Sequence, residues 1–411
     1  MAGEFFKVDS DRGKIAVFGD LRLASLPSLT SALHQAINVA RYKGITLDFS
    51  SLTTMTNSVV APLAANLRRL TRDEAIDFTL LEPRDGQLRT RLISLGLAHY
   101  IDYRRYPNPR MNSSDASVIQ FLNHDERVIA VDKVINSLLR TAKLDRKNLA
   151  AVDWAVNEIT DNVITHSNSK TGGFLICSKV HRTNIIEFTV ADTGIGVARS
   201  LGIADEQEAV QKAIEEGVTR NKSTNQGNGL FGTYRLALGS SGIFALKSRH
   251  GSLHVTKGGE MHVRKEMIPF TGTLVVCQID CENPELIERA FRFSGKAHTP
   301  AFDYIERKHE QEEEAIISAH EICKTFGSRQ SGMEARRYIM NVLQATEKGT
   351  LKIDFSGIYV VSSSFADEVF GKLFVELGPM RFINSVKIIN ADSTVLGLID
   401  RAITLRTQTG L

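Results

Sequence analysis

Cysteine is scarce in this chain. Cys177, Cys277, Cys281 and Cys323 form no CxxC pair, and the Cys277 to Cys281 spacing lacks the second Cys or His pair that would complete a zinc site. All four are expected to be plain thiols in a reducing compartment. Long apolar runs are missing too. The longest, such as TLVVCQI, stop far short of the roughly 20 residues that cross a bilayer, so no transmembrane segment and no membrane partner are expected. MAGEFFKVDSDRGK carries acids early and has no apolar core, unlike a secretory signal, and a cytoplasmic protein is expected. With 9 Pro and 30 Gly the composition is neither collagen-like nor low in complexity. No sign of charge dominates: 50 Lys and Arg against 47 Asp and Glu leave a formal +3, too little to point to nucleic acid.

What remains is an ordinary globular composition on 411 residues, about two or three domains' worth of chain. Short β-branched runs at 14–22 and 45–49 alternate with helical spacing at 25–42 and 59–72. A strand at 78–83 and a helical stretch at 85–97 complete a small α/β unit. The Pro-, Asn- and Ser-rich segment that follows reads as a linker. Helical periodicity resumes over 118–139 and 149–165, and FLICSKV and NIIEFTVAD read as strands. Charge replaces apolar pattern near 281–310, again a linker. The division expected is therefore 1–104, linker 105–117, 118–281, charged linker 282–313, and 314–411.

The two ends repeat. LDFSSLTTMTNSVVAPLAANL from Leu47 aligns without a gap with IDFSGIYVVSSSFADEVFGKL from Ile353, which matches Asp48, Phe49 and Ser50 to Asp354, Phe355 and Ser356.

Four elements in the middle carry polar chemistry. In VNEITDNVITHS, Glu158, Asn162 and His166 recur every four residues and share one helix face. A carboxylate there can accept a proton from water, and an amide oxygen one turn on can join the oxygen shell of magnesium. VADTGIGV places Asp192, Gly194 and Gly196 after a β-rich run, where a carboxylate can accept a hydrogen bond from an exocyclic amine and glycines admit a flat ring. NKSTNQGNGLFGTYRL supplies Gly227, Gly229 and Gly232 before a helix, a pattern that turns backbone N–H groups towards phosphates. No strand directly precedes it and it has no Walker lysine, which excludes dinucleotide-fold and P-loop readings. In FTGTLVVCQID, Thr271, Gly272 and Thr273 are expected to begin a strand.

This ordered set resembles the GHKL ATPase superfamily, which includes gyrase, MutL, histidine kinases and anti-sigma-factor serine kinases, over about residues 118–280. The resemblance implies ATP and Mg2+ as cofactors, with Glu158 as general base, Asn162 as magnesium ligand and Asp192 as adenine contact. Gly194 and Gly196 would shape the adenine pocket and Thr273 would close it. Gly227 and Gly229 would belong to the lid over the phosphates, residues 199–226 would be mobile lid, and Lys222 is a candidate phosphate contact. Phe231 stands where many relatives have glycine. FLNHDER around His124 is only faintly similar to a histidine-kinase phosphoacceptor box and lies too close to Glu158 for a dimerisation hairpin.

The flanking repeats resemble STAS domains, in which a strand ending near an Asp leads to a loop and a helix, and the loop serine is the substrate of a GHKL kinase. Those loop positions hold Thr56 and Asn57 in the first copy and Ser362 and Ser363 in the second, so Ser363 is a candidate phosphoacceptor, with helix capping as the alternative use of the serines. The fold class implied is α/β (α+β): a central GHKL (Bergerat) α/β sandwich flanked by two small STAS-like α/β domains. The expected activity is that of an ATPase acting as a nucleotide-gated regulatory switch. Its alternatives are a serine kinase acting on a STAS domain and a nucleotide-sensing scaffold. The expected partner is another protein met through the STAS-like domains, or a second copy in a homodimer.

Overall fold

The computed structural model describes residues 6–9, 13–108, 116–144, 146–218, 229–282, 292–293, 296–297, 315–345 and 350–409. They fall into two compact units, one of Met1–Val134 with Ala155–His298 and the other of Ile135–Trp154 with Thr299–Leu411. Residues 135–154, from the middle of the stretch expected as the central domain, thus group with the C-terminal residues.

The first unit contains two sheets. One has the order β1 (Phe6–Asp9), β2 (Lys14–Leu21), β3 (Gly44–Met55), β4 (Asp77–Leu81); β1 and β2 form an antiparallel pair and the others run parallel. Helices α1 (Leu26–His34), α2 (Val60–Asp73), α3 (Gly86–Ser94) and α4 (Leu97–Ile101) complete it. Asp85 starts α3 because its carboxylate accepts from the Leu88 backbone N–H at 2.7 Å. In α2, Val60, Leu63, Ala64, Leu67 and Leu70 recur at helical spacing and are buried.

The second sheet is antiparallel, with the order β5 (Ile119–Phe121), β6 (Gly173–Lys179), β7 (Ile185–Asp192), β9 (Met261–Asp280), β8 (Ile243–Val255). Strands β6 and β7 are buried on nearly every residue, the pattern of a sheet covered on both faces. Phe174, Ile176, Ala191, Leu274 and Val276 join the core of residues 15–106 in one apolar cluster. Tyr100 meets Phe174 edge to face, ring centroids 5.4 Å apart. Helices α5 (His124–Thr141), α6 (Arg146–Asn162), α7 (Val197–Leu201), α8 (Glu206–Lys212) and α9 (Gly229–Gly239) accompany this sheet in the chain.

Three local expectations change. The helical period from 118 begins instead as edge strand β5, with Phe121 wholly buried, and α5 starts only after Asn123, whose side chain accepts from the Glu126 N–H at 2.9 Å. Within the stretch expected as lid, residues 199–218 carry packed structure, where Asp205 caps α8 through the N–H groups of Gln207 and Glu208 at 2.8 Å and Ala209 and Val210 are buried, while 219–226 lie outside the described residues. Thr271 to Thr273 do not begin a strand but form an irregularity in the middle of β9, opposite the shift between Ser248 and Arg249.

The second unit has three parallel strands in the order β10 (Ala315–Ser318), β11 (Leu351–Asp354), β12 (Val386–Ile389). Helix Arg329–Ala345, a helical run from Ser363 to Leu377 and helix Ser393–Thr409 complete it. Tyr338, Phe355, Phe365 and Phe370 fill its core. Asn341, 2 % exposed, donates to the carbonyls of Leu139 and Ala142, both at 2.9 Å, and accepts from the Leu144 N–H at 3.3 Å. One amide thereby satisfies the orphan end of a helix and the turn after it.

The repeat is visible in three dimensions. Asp48 and Asp354 each accept from the backbone N–H two residues on, Ser50 and Ser356, at 2.9 Å. Thr56 and Ser362 each stand at the N-cap of the helical turn that follows. All four cysteines are free and buried, and burial pushes the Cys323 thiol up to about 12. No helix among the described residues is long and apolar enough to cross a membrane.

Candidate functional site

Glu158 and Asn162 lie on the last turns of α6, half-buried. Arg127 of α5 holds this end in place: its guanidinium donates to Asn157 Oδ1 at 2.9 Å and lies 3.7 Å from Asp161. The helix then widens into a π-type turn, Val163–Ser167, that ends on Asn168 in the left-handed region (φ 51°). Such turns gather at functional sites. His166 sits on this wider turn, so its spacing from Asn162 no longer matches that of Asn162 from Glu158.

Asp192 closes β7 and is 3 % exposed. Its carboxylate accepts from the Gly194 N–H at 2.7 Å and from both the backbone and the side chain of Thr273. Burial outweighs these bonds and lifts its pKa to about 7. Gly272, at φ 89°, lies so close to the Asp192 carbonyl that a Cβ there would overlap it. The irregularity in β9 therefore requires glycine twice over, for its φ and for its contact. Sequence reasoning missed the next participant, Ser248. Its hydroxyl accepts from the Val197 N–H at 2.8 Å and donates to the Gly272 carbonyl at 3.0 Å, which ties the loop after Asp192 to β9. A serine inside a strand gave no signal for this, because its role depends on a bulge in the partner strand.

The loop Thr193–Gly196 is fixed at both ends. The Ile195 N–H donates to the Ser167 carbonyl at 2.8 Å, Gly194 packs on that same carbonyl, and Gly196 (φ 81°) faces Ser248 and Arg249. Helix α9 begins at Gly229, and a Cβ on Gly229 would overlap Glu158 Oε2. The start of this helix and the Glu158 carboxylate therefore touch, although 70 residues separate them in the chain. Phe231 is half-buried, with the Arg235 guanidinium 5.9 Å over its ring.

The structure thus brings Asp192, Gly194 and Thr273 together, and separately Glu158 with Gly229. Lys222 and Gly227 lie outside the described residues. Ser363 is exposed in the second unit at the start of its helical run, where Ser362 Oγ accepts from the Phe365 N–H at 3.0 Å. The capping use of these serines therefore belongs to Ser362. His124 is exposed at the first position of α5.

Residues 121–237 match the family model of the histidine kinase-like ATPase domain, and residues 336–396 match that of a STAS-like domain of unknown function. No curated protein matches the chain. It carries a histidine kinase-like ATPase domain followed by a C-terminal STAS-like domain.

Proposed function

We propose that the chain binds ATP with magnesium at the Asp192 and Glu158 sites and uses the nucleotide state as a regulatory switch read out through its STAS-like domains. The observation that carries this reading is the buried Asp192 carboxylate, fixed by Gly194 and Thr273 at the floor of a glycine loop. A carboxylate so placed is a preorganised acceptor for an exocyclic amine, and Gly194 and Gly196 let the loop beside it close against Ser167 and Ser248.

Glu158 is the general base in this reading. Its position beneath the first residue of α9 puts it beside backbone N–H groups suited to phosphate oxygens. The Asn162 amide oxygen, one turn on, suits a hard cation such as magnesium. When bound, ATP with its metal supplies the transferable phosphoryl group. Glu158 then orients a water and accepts its proton, and Thr273 and Ser248 hold the base-reading end still. Lys222, Gly227 and Gly229 are assigned to the phosphate end by resemblance.

A second reading, a serine kinase that acts on a STAS domain, is favoured by one observation: Ser363 is exposed at the start of a helical run while its counterpart Asn57 has no hydroxyl. Incubating the full chain with ATP labelled at the γ-phosphate separates the two. Label released as free phosphate supports the switch, and label retained on protein supports the kinase. Glu158→Gln should keep nucleotide binding and lose turnover by about a hundredfold. Turnover at the wild-type rate in Glu158→Gln removes the base assignment.

A further inference from the structure

A cleft of about 500 Å3 opens beside the loop Thr193–Ile195, within the range of small-ligand sites. Lys170, Arg199 and Arg249 line it, with Asp73 at the end of α2 and Glu206 at the start of α8. Glu158, Asn162, Asp192 and Thr273 are not among its lining residues. It is therefore built from different side chains than the candidate nucleotide site, although the two share the glycine loop.

Its charge is unbalanced. Among the described residues none of the three cations has an ion-pair or hydrogen-bond partner on its side chain. Glu206, by contrast, is already engaged, accepting from the His250 N–H at 2.9 Å. Lys170, Arg199 and Arg249 are all exposed, so none is desolvated at a cost that a partner would have to offset. The three cations outnumber the two carboxylates of the lining, Asp73 and Glu206, so the concavity keeps a net positive charge and focuses a positive potential. Two of the lining residues, Asn168 and Arg249, also hold left-handed backbone at φ 51° and 54°.

We propose that this cleft is a second ligand site that takes a small molecule of the phosphate-ester or pyrophosphate class, held by Lys170, Arg199 and Arg249. The guanidinium groups suit paired phosphate oxygens, and the ammonium of Lys170 adds a point charge. Because Gly194 and Ile195 belong to this cleft and to the loop at Asp192, its occupant would bias the nucleotide loop, and nucleotide would bias it in return.

Calorimetry of the full chain with inorganic pyrophosphate, in the absence of nucleotide and metal, tests the site. Saturable binding is expected, weakened about ten- to a hundredfold in the Lys170→Gln/Arg199→Gln double variant. It should be weakened similarly in Ala204→Trp, which fills the cleft without changing its charge. Circular dichroism establishes that both variants fold. Lys222→Gln, at the phosphate end of the nucleotide site assigned by resemblance, should bind pyrophosphate as the wild type does, which keeps this test separate from that of the nucleotide site. The idea is overturned if millimolar pyrophosphate does not bind, if both variants bind it normally, or if Lys222→Gln abolishes binding, since the anion would then occupy the nucleotide pocket.

Discussion

Asn57, the counterpart of Ser363 in the first repeat, is tied down on both ends of its amide. Its Nδ2 donates to Ser178 Oγ on β6 at 2.8 Å, and its Oδ1 accepts from Arg91 at 2.9 Å. The loop that matches the serine turn of the C-terminal copy is here committed to the strand of an ATPase sheet in the same chain. Together with the apolar cluster that spans both sheets, this makes residues 13–106 part of the ATPase unit's core, which a detachable regulator would not be.

A chain lacking residues 1–108 should therefore be insoluble or molten. It would expose Phe174, Ile176, Leu274 and Val276, each worth about 1.5–3 kcal/mol when buried. Strong binding of a hydrophobic dye and loss of the near-ultraviolet circular dichroism signal are the expected readouts. A soluble, cooperatively melting fragment that binds nucleotide would show instead that the sheet needs only one covered face.

Nucleotide affinity should rise with pH around neutrality. Asp192 has a pKa of about 7 in the fold because of its burial, against 3.8 ordinarily, so a ligand amine that donates to the ionised form gains as the pH passes from 6 to 8, by up to about tenfold per unit below the pKa. Stability runs the other way. The folded state keeps a proton that the unfolded chain has lost, so this group's contribution is fully present below its ordinary pKa and is lost as the pH rises through about 7. Asp192→Asn should flatten both dependences and weaken binding by about 1.5–3 kcal/mol. Calorimetric titrations of the two proteins at several pH values decide this.

Asn341→Ala should destabilise the second unit by roughly 1–3 kcal/mol for each buried polar group it leaves unsatisfied, and Leu139 and Ala142 would both lose a donor. Asn341→Leu should recover packing but not those bonds. Thermal melts followed by hydrogen exchange at the Leu144 amide, which bonds Asn341 Oδ1, would locate the loss.

Much of this architecture was legible in the sequence because it rests on local signals. The β7 run ends at Asp192, the α6 spacing carries Glu158 and Asn162, and the repeat from Leu47 and from Ile353 fixes both Asp turns. The parts that were not legible depend on distant partners. Ser248 matters only because β9 bulges at Gly272, and Phe121 becomes an edge strand only because β6 lies beside it. The contact between Gly229 and Glu158, and that between Asn57 and Ser178, join segments far apart in the chain, and no spacing rule encodes them.

The last prediction concerns where a phosphate could go. Ser362 is committed to capping through its bond from the Phe365 N–H, while Ser363, one residue on, is exposed at the first helical position. A phosphate on Ser363 would bring nearly two negative charges to the positive end of a helical run, a placement the helix dipole favours. If the chain or a related kinase phosphorylates a STAS unit here, mass spectrometry after incubation with ATP and magnesium should find the modification at Ser363, and Ser363→Ala should remove it. Asn57→Ser supplies a hydroxyl at the matching position of the first copy, yet it should remain unmodified even though the substitution removes the amide bonds to Ser178 and Arg91, because the neighbouring Ser58, Val59 and Val60 are buried and keep that loop from entering another active site. Labelling of Asn57→Ser at a rate comparable to Ser363 would mean that the first repeat detaches readily from the ATPase sheet. Steady ATP turnover with no phosphate at residues 362–364 would sink the kinase reading and leave the switch.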